Sequence, residues 1–377
     1  MLSGDVFRWI PGRFLMGGFL MTVISILSGL SYAETPSGKD AGSAELERAR
    51  QSVTVTVETL DQMTRYQGGL GPLPAVPIPS NNPQTDAKVE LGKMLFFDKR
   101  LSGDNTISCG TCHAPDKGFA DGKIRAIGFG GKELGRHSPT VINTAYNGPQ
   151  FWDGRAVSLE EQAEKPIEAD VEMNLPREVM VGRLISIPEY KKRFRDVFGE
   201  DPSLANVGKA IAAFERTIVT SDSPFDRYAR GDKQALSLQE KKGMLLFMSK
   251  AACTQCHNGV NFTDNQFHVL GVPQQGPLAE DPGRYAITKD EKDKSAFKTP
   301  TLRNIVQTAP YMHDGAFQTL EEVVEFYNQG GGTASNKSSK ILKLRLTRQE
   351  KSDLVAFLKS LTGKLPIIAM PMLPEAR

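Results

Sequence analysis

Two short strings set most of what this chain can do chemically. Cys109-Gly-Thr-Cys112-His113 and Cys253-Thr-Gln-Cys256-His257 use all four cysteines of the 377-residue sequence, and a histidine follows each pair at once. Such a string attaches a c-type haem: two thioethers pin one porphyrin edge, and the adjacent imidazole turns under the ring to the iron. His113 and His257 are the expected proximal ligands. Zinc is the competing use of Cys and His, but it needs four convergent ligands in a tetrahedron. It gives no reason for His to follow the second Cys directly, twice. Three further histidines, His137, His268 and His313, remain for the opposite iron faces. A closed face suits electron transfer and an open one suits reaction with peroxide or oxygen. Spacing alone leaves open which haem is which.

The elements that must hold these strings are helices. Val89–Phe97 has an apolar stripe through Leu91, Met94 and Leu95, and a turn at 102–105 leads from it to the first string. Ser237-Leu-Gln-Glu240 is a capping-box start for a helix that ends near Ser249, just before the second string. The texts GKMLFF and GMLLFM precede the two strings and resemble each other, a weak internal repeat that implies two related haem modules. Between them the pattern predicts helices over 159–165 (stopping at Pro166), 176–187, 189–198 and 204–219. Later helices are expected at 320–327 and 349–362. Alternation of the strand kind is scarce. The fold class is mainly α, with long loops wrapped around the prosthetic groups.

Composition bounds the rest. Lys plus Arg is 46 and Asp plus Glu is 44, a net charge of +2, which argues against a nucleic-acid partner. Arg8 and Arg13 precede an apolar run, Phe14–Leu30, and Ser31-Tyr32-Ala33 offers a small-x-small cleavage site. We read residues 1–33 as a signal peptide, with an uncleaved anchor as the alternative, and the periplasm as the destination. Residues 34–87 form a polar, then Pro- and Gly-rich extended lead-in, with a short helix near 44–51 and a packed body from about Val89. Two cytochrome c-like domains follow, 88–230 and 231–377.

From about residue 88 onward the sequence resembles the bacterial di-haem cytochrome c peroxidase family, which includes the MauG proteins. The resemblance rests on ordered motifs besides the two attachment strings. They are Ser138-Pro-Thr-Val-Ile-Asn143, Gln150-Phe-Trp-Asp-Gly-Arg155, Val171-Glu-Met-Asn174, Phe297-Lys-Thr-Pro-Thr-Leu-Arg-Asn304, Ala309-Pro-Tyr-Met-His-Asp-Gly315 and the late MLPE at 372–375. It implies that the N-terminal haem on His113 reacts with peroxide and that the C-terminal haem on His257 relays electrons. It implies Glu172 as the distal acid–base group, with Gln162 and Pro166 beside it, and Trp152 as the indole between the haems. By residue type alone Glu172 reads as an ordinary helix-start carboxylate and Trp152 as core.

Two positions depart from the peroxidase pattern. Gly128-Phe129-Gly130 stands where a Gly-His-Gly-like loop caps the resting active haem, and phenylalanine cannot ligate iron. Tyr327 stands where typical peroxidases carry the relay haem's Met ligand, and Tyr there is the MauG feature. Tyr327 is therefore the expected distal ligand, with a core aromatic as the plainer reading and Met312 adjacent to the motif. A calcium ion between the haems is also implied, through the backbone carbonyls of Thr308 and Pro310. His137 replaces the Asn expected for its side-chain part. The implied function is reduction of hydrogen peroxide to water, with electrons from a small cytochrome c or cupredoxin. The alternative is a MauG-like oxidase that uses peroxide to oxidise a side chain of a partner protein through a bis-Fe(IV)-type state. A homodimer is the expected assembly.

Overall fold

The computed structural model describes residues 69–278 and 280–375, so the expected signal peptide and the short helix near 44–51 lie outside the described residues. Nine helices longer than one turn carry the described chain: α1 (Asp86–Phe97), α2 (Leu159–Glu168), α3 (Arg177–Ser186), α4 (Pro188–Phe198), α5 (Leu204–Glu215), α6 (Pro224–Ala229), α7 (Leu238–Met248), α8 (Leu320–Asn328) and α9 (Arg348–Ser360). The described strands are two residues each, β1 (Phe267–His268) and β2 (Phe297–Lys298), paired antiparallel. The mainly helical reading with long loops is borne out.

Two cores form, one per attachment string. The first is built from α1, α3, α4 and α5, around Leu91, Leu95, Phe96, Tyr190, Phe194, Ile211 and Phe214. The second gathers Phe225, Met244, Phe247, Phe262, Leu354 and Phe357 from α6, α7, α9 and the loops between them. The weak repeat has a packing reason. A Cβ at Gly92 of α1 would collide with the carbonyl oxygen of Ala210 on α5, and one at Gly243 of α7 with that of Asp353 on α9. Each GxxLF text thus puts a glycine where two helices cross backbone to backbone.

The duplication extends further than those two texts. Asn143 and Asn304, the last residues of the SPT and TPT motifs, both take left-handed backbone conformations. They meet in the core at one residue: Thr220 Oγ1 donates to Asn304 Oδ1 at 2.7 Å, and Thr220 N donates to Asn143 Oδ1 at 2.9 Å. Gln150-Phe-Trp-Asp-Gly-Arg-Ala156 and Tyr311-Met-His-Asp-Gly-Ala-Phe317 close the same loop, each pinned end to end by a single β-bridge. Capped helices follow both loops, α2 from Ser158 and α8 from Thr319.

Three element boundaries differ from expectation. Helix α2 does not stop at Pro166 but runs through it to Glu168. Proline costs a helix one N–H and crowds the carbonyl four residues back. Here it sits in the last turn, where little helix remains to be disturbed. Helix α5 ends at Glu215, four residues short of expectation; the β-branched run Thr217-Ile-Val-Thr220 leaves it in tight turns. Residues 70–85 are extended, yet packing begins before Val89. Leu70 is buried, Gly71 O accepts from Arg303 Nη2 at 2.8 Å, and Asn82 Nδ2 donates to Glu160 and to Lys209 O.

Candidate haem sites

Each attachment string lies on a short helical turn, and both present the same histidine geometry. His113 Nδ1 lies 3.2 Å from the carbonyl of Phe119, and His257 Nδ1 lies 3.0 Å from that of Phe262. A carbonyl only accepts, so Nδ1 carries the proton and Nε2 is left as the lone-pair nitrogen. Phe119 and Phe262 reach these positions with left-handed backbones, at φ 54° and 53°. Burial pulls both imidazoles below the usual histidine range, which keeps them neutral, as a metal ligand must be.

His113, Cys109 and Cys112 line a cavity of about 730 Å³, and His257, Cys253 and Cys256 line one of about 510 Å³. Both volumes fall in the range of small-molecule and cofactor sites. Buried polar atoms on their walls lack partners: Glu215 Oε2 on the first and His313 Nε2 on the second. Native interiors rarely leave such atoms unpaired. Burial pushes the Cys112 and Cys256 thiols up to about 11, so both stand as neutral thiols at neutral pH. The residues present fit a thioether-bound haem in each cavity.

The N-terminal cavity gathers the expected reaction residues. Glu172, Gln162 and Pro166 all line it. Glu172 follows α2 on a turn closed by its own N–H to Ala169 O at 3.0 Å. Its side chain is 26% exposed, on the cavity, and Arg155 Nη2 stands 3.5 Å from Oε1. Burial lifts its carboxyl above the ordinary range and Arg155 opposes that lift. Arg155 is itself held by Asp153 at 3.1 Å and stacks 3.5 Å over the Phe151 ring. The Phe129 backbone N–H donates to Glu172 O at 2.8 Å, so the Gly128–Phe129 loop is fastened to the Glu172 turn. The Phe129 ring lies against Gly103, and Phe129 is not among the cavity-lining residues.

The C-terminal cavity is lined by Tyr327, Met312, Thr308, Pro310, His268 and His313. The Tyr327 hydroxyl has no hydrogen-bond partner among the described residues, and burial pushes it above its ordinary range. The duplicated loop-and-helix units give its position meaning. Leu159-Glu-Glu-Gln-Ala-Glu-Lys-Pro166 and Leu320-Glu-Glu-Val-Val-Glu-Phe-Tyr327 are the same helical stretch in the two halves. Tyr327 therefore occupies in α8 the place that Pro166 occupies in α2. Reading the two LEE texts against each other would have found this pairing from sequence.

Trp152 lines both cavities. Its indole N–H donates to His137 O at 2.9 Å, and its carbonyl accepts from Lys298 N at 2.8 Å. His137 is buried, its Nδ1 lies 2.8 Å from Lys123 O, and its backbone N–H donates to His313 O at 2.8 Å. Arg136 bridges the halves, with Asp153 at 2.6 Å and Asp281 at 2.7 Å. Sequence reading passed over Glu215, Arg155 and Lys298. Glu215 ends α5, is 4% exposed, and burial pushes its carboxyl up to about 8. Among the described residues no helix is long and apolar enough to cross a membrane.

Comparison with known proteins agrees with this geometry. The family model described as di-haem cytochrome c peroxidase matches residues 86–234, and that for cytochrome c matches residues 240–362. The chain is 44% identical to cytochrome-c peroxidase IdrP1 of Denitromonas iodatirespirans over 329 residues, 79% of this chain and 88% of that protein. It is 42% identical to the methylamine utilization protein MauG of Methylorubrum extorquens over 302 residues, 80% and 85% of the two chains. A crystal structure of a MauG-like protein associated with microbial copper homeostasis superposes with a TM-score of 0.72 at 35% identity, covering 78% of this chain and 94% of the other. By motif, geometry and likeness, the chain belongs to the di-haem cytochrome c peroxidase and MauG family, oxidoreductases with two cytochrome c-like domains that carry haem c.

Proposed function

We propose that the protein is a periplasmic di-haem peroxidase that reduces hydrogen peroxide to water. Electrons pass from a small cytochrome c or cupredoxin through the C-terminal haem to the N-terminal haem. One observation carries the assignment of roles. The N-terminal cavity holds Glu172, Gln162 and Pro166 and is not lined by Phe129, while the C-terminal cavity holds Tyr327 at the place of that proline. A haem held by Cys109, Cys112 and His113 would supply the iron for peroxide reduction, and one held by Cys253, Cys256 and His257 would supply a one-electron relay.

The chain's own groups handle the protons. H2O2, two protons and two electrons give two waters. Glu172 as carboxylate takes the proton from the peroxide oxygen nearer the iron and returns it to the departing oxygen, which leaves as water. Gln162, with no hydrogen-bond partner for its amide among the described residues, orients the bound peroxide. Burial raises the Glu172 pKa and Arg155 opposes that rise, which favours the base form. Trp152, facing both cavities, carries electrons between them. The proposed boundary between the domains falls at about 230, with α6, whose Phe225 already packs in the second core, as the crossing segment. A calcium ion between the haems would have the Thr308 and Pro310 carbonyls as donors. The His137 side chain offers no oxygen toward the six to eight that calcium takes.

A second reading is favoured by Phe129 and Tyr327 together: a MauG-like oxidase that draws the two electrons from a side chain of a partner protein. An anionic oxygen ligand lowers the potential of the second haem, whereas Met raises it. Stopped-flow mixing of the oxidised enzyme with peroxide separates the readings. Rapid turnover with reduced cytochrome c or cupredoxin supports the peroxidase. Inertness toward every such donor, with slow loss of peroxide equivalents into protein side chains, overturns it in favour of the oxidase.

A further inference from the structure

The two haem cavities share a wall, and that wall contains one lysine. Trp152, His137, Pro300 and Lys298 are among the residues that face both cavities. Lys298 is the one Lys or Arg common to the two linings among the described residues. Its backbone is fixed on both sides: its N–H donates to Trp152 O at 2.8 Å, and it pairs with Phe267 across the β1–β2 ladder.

Its side chain is unlike the other buried cations. Arg303 has Asp226 at 2.9 Å, Arg216 has Glu160 at 2.7 Å, and Lys88 Nζ donates to Asn82 Oδ1 at 2.9 Å. Lys298 is 8% exposed, and its ammonium makes no hydrogen bond or ion pair among the described residues. Asp264, the carboxylate that acts on it from a distance, is already engaged with His268 at 2.8 Å and Gln266 N at 2.9 Å. Burial accordingly pulls the Lys298 ammonium down to about 8. An unpaired buried cation is strongly unfavourable and marks a site that expects an anion.

The cavities' own occupants bring such anions. A c-type haem is held at one edge by its thioethers and carries two propionate carboxylates at another. We propose that Lys298 is a counter-ion shared by both haems, taking one propionate from each in the wall beside Trp152. This rests on the di-haem reading and deepens it. The ammonium would hold both carboxylate edges against the indole that couples them. It would also favour the reduced state of both irons, because reduction removes one positive charge near a fixed one.

The test uses holoprotein with Lys298→Met and Lys298→Arg. Spectroscopic redox titration follows each haem, and resonance Raman follows the propionate bending bands. With Met, the one-electron equilibrium of both haems is expected to shift toward the oxidised form by on the order of tenfold, about 59 mV each. Both sets of propionate bands should move, while Arg stays near the wild-type potentials. Two haems per chain with unchanged potentials, or a shift confined to one haem, overturns the shared counter-ion and leaves the di-haem reading standing. Wild-type protein with fewer than two haems overturns the di-haem reading instead. Should the Met variant fail to fold, Lys298→Arg still decides. A guanidinium in place of the ammonium must displace the propionate bands of both haems, and bands identical to wild type refute the proposal.

Discussion

Replacing Glu172 by Gln removes a proton acceptor and leaves nearly everything else. The two side chains have almost the same shape, and Gln can still meet Arg155. The Arg155–Glu172 contact is long, at 3.5 Å, between side chains 30% and 26% exposed. Its loss should cost folding no more than about 1 kcal/mol. Peroxide cleavage needs a proton moved from one oxygen to the other. A positioned acid–base group contributes ~10²–10⁴-fold to such a step, or about 2.7–5.4 kcal/mol of barrier. Steady-state peroxide reduction with a reduced small cytochrome should fall by that factor, with haem content and melting temperature close to wild type. The pH profile adds an independent check. Burial outweighs Arg155 and places the Glu172 carboxyl above its ordinary 4.5. The carboxylate is the competent form, so wild-type turnover should decline as pH falls through that raised value. The Gln variant should lack this acid limb. Turnover within about threefold of wild type, or an unchanged acid limb, would refute the role and move it toward Gln162.

Replacing Cys109 and Cys112 by Ala should remove one covalent haem, and the Cys253/Cys256 pair the other, read by acid–acetone extraction and pyridine haemochrome spectra; a zinc-containing product would defeat the assignment. Trp152→Phe should load both haems but slow electron transfer between them, measured by stopped-flow reduction of each haem; wild-type rates would return Trp152 to a packing role. Glu215→Gln tests the buried acid at the end of α5. The Glu215 pKa rises from 4.5 to about 8 in the fold, so its stabilising contribution is complete below 4.5 and is lost as pH rises toward 8. The variant should gain about 3 kcal/mol relative to wild type between pH 5 and pH 8, seen in melting temperatures; an equal effect at both pH values would disprove it. Tyr327→Phe should change the resting paramagnetic-resonance signal of the C-terminal haem alone, and an identical spectrum would make Tyr327 a packing residue.

The attachment strings were the most legible part of the sequence because their chemistry is local. Two Cys and one His within five residues need no tertiary information to be read. The helices were nearly as clear, since the capping box at Ser237 and the apolar stripe through Leu91, Met94 and Leu95 mark them. What escaped depends on distant partners. Nothing near Lys298 in sequence says that it shares a wall with Trp152, and nothing near Glu215 says that it faces a haem cavity. Pro166 misled because a proline in a final turn is tolerated where one in mid-helix is not. Leu70 and Asn82 misled because a Pro-rich extended chain can still be pinned to a core through its carbonyls and amides.

The duplicated halves give a physical reason for two haems with different work. Both keep the parts that hold a haem: the glycine at the helix crossing, the histidine fixed through a left-handed phenylalanine carbonyl, and the asparagine bonded to Thr220. They diverge where the side chain meets the prosthetic group. The two seven-residue loops put Trp152 in one half at the place of His313 in the other, and the helices behind them put Pro166 at the place of Tyr327. Proline offers no ligand atom and no N–H, so its cavity keeps room for a small molecule beside Glu172. Tyrosine offers an oxygen, so its cavity can close on the iron. Trp152 lies in a position that sees both cavities, whereas His313 faces the C-terminal cavity only. Under the function proposed, those two exchanges would help turn one module toward reaction and the other toward relay.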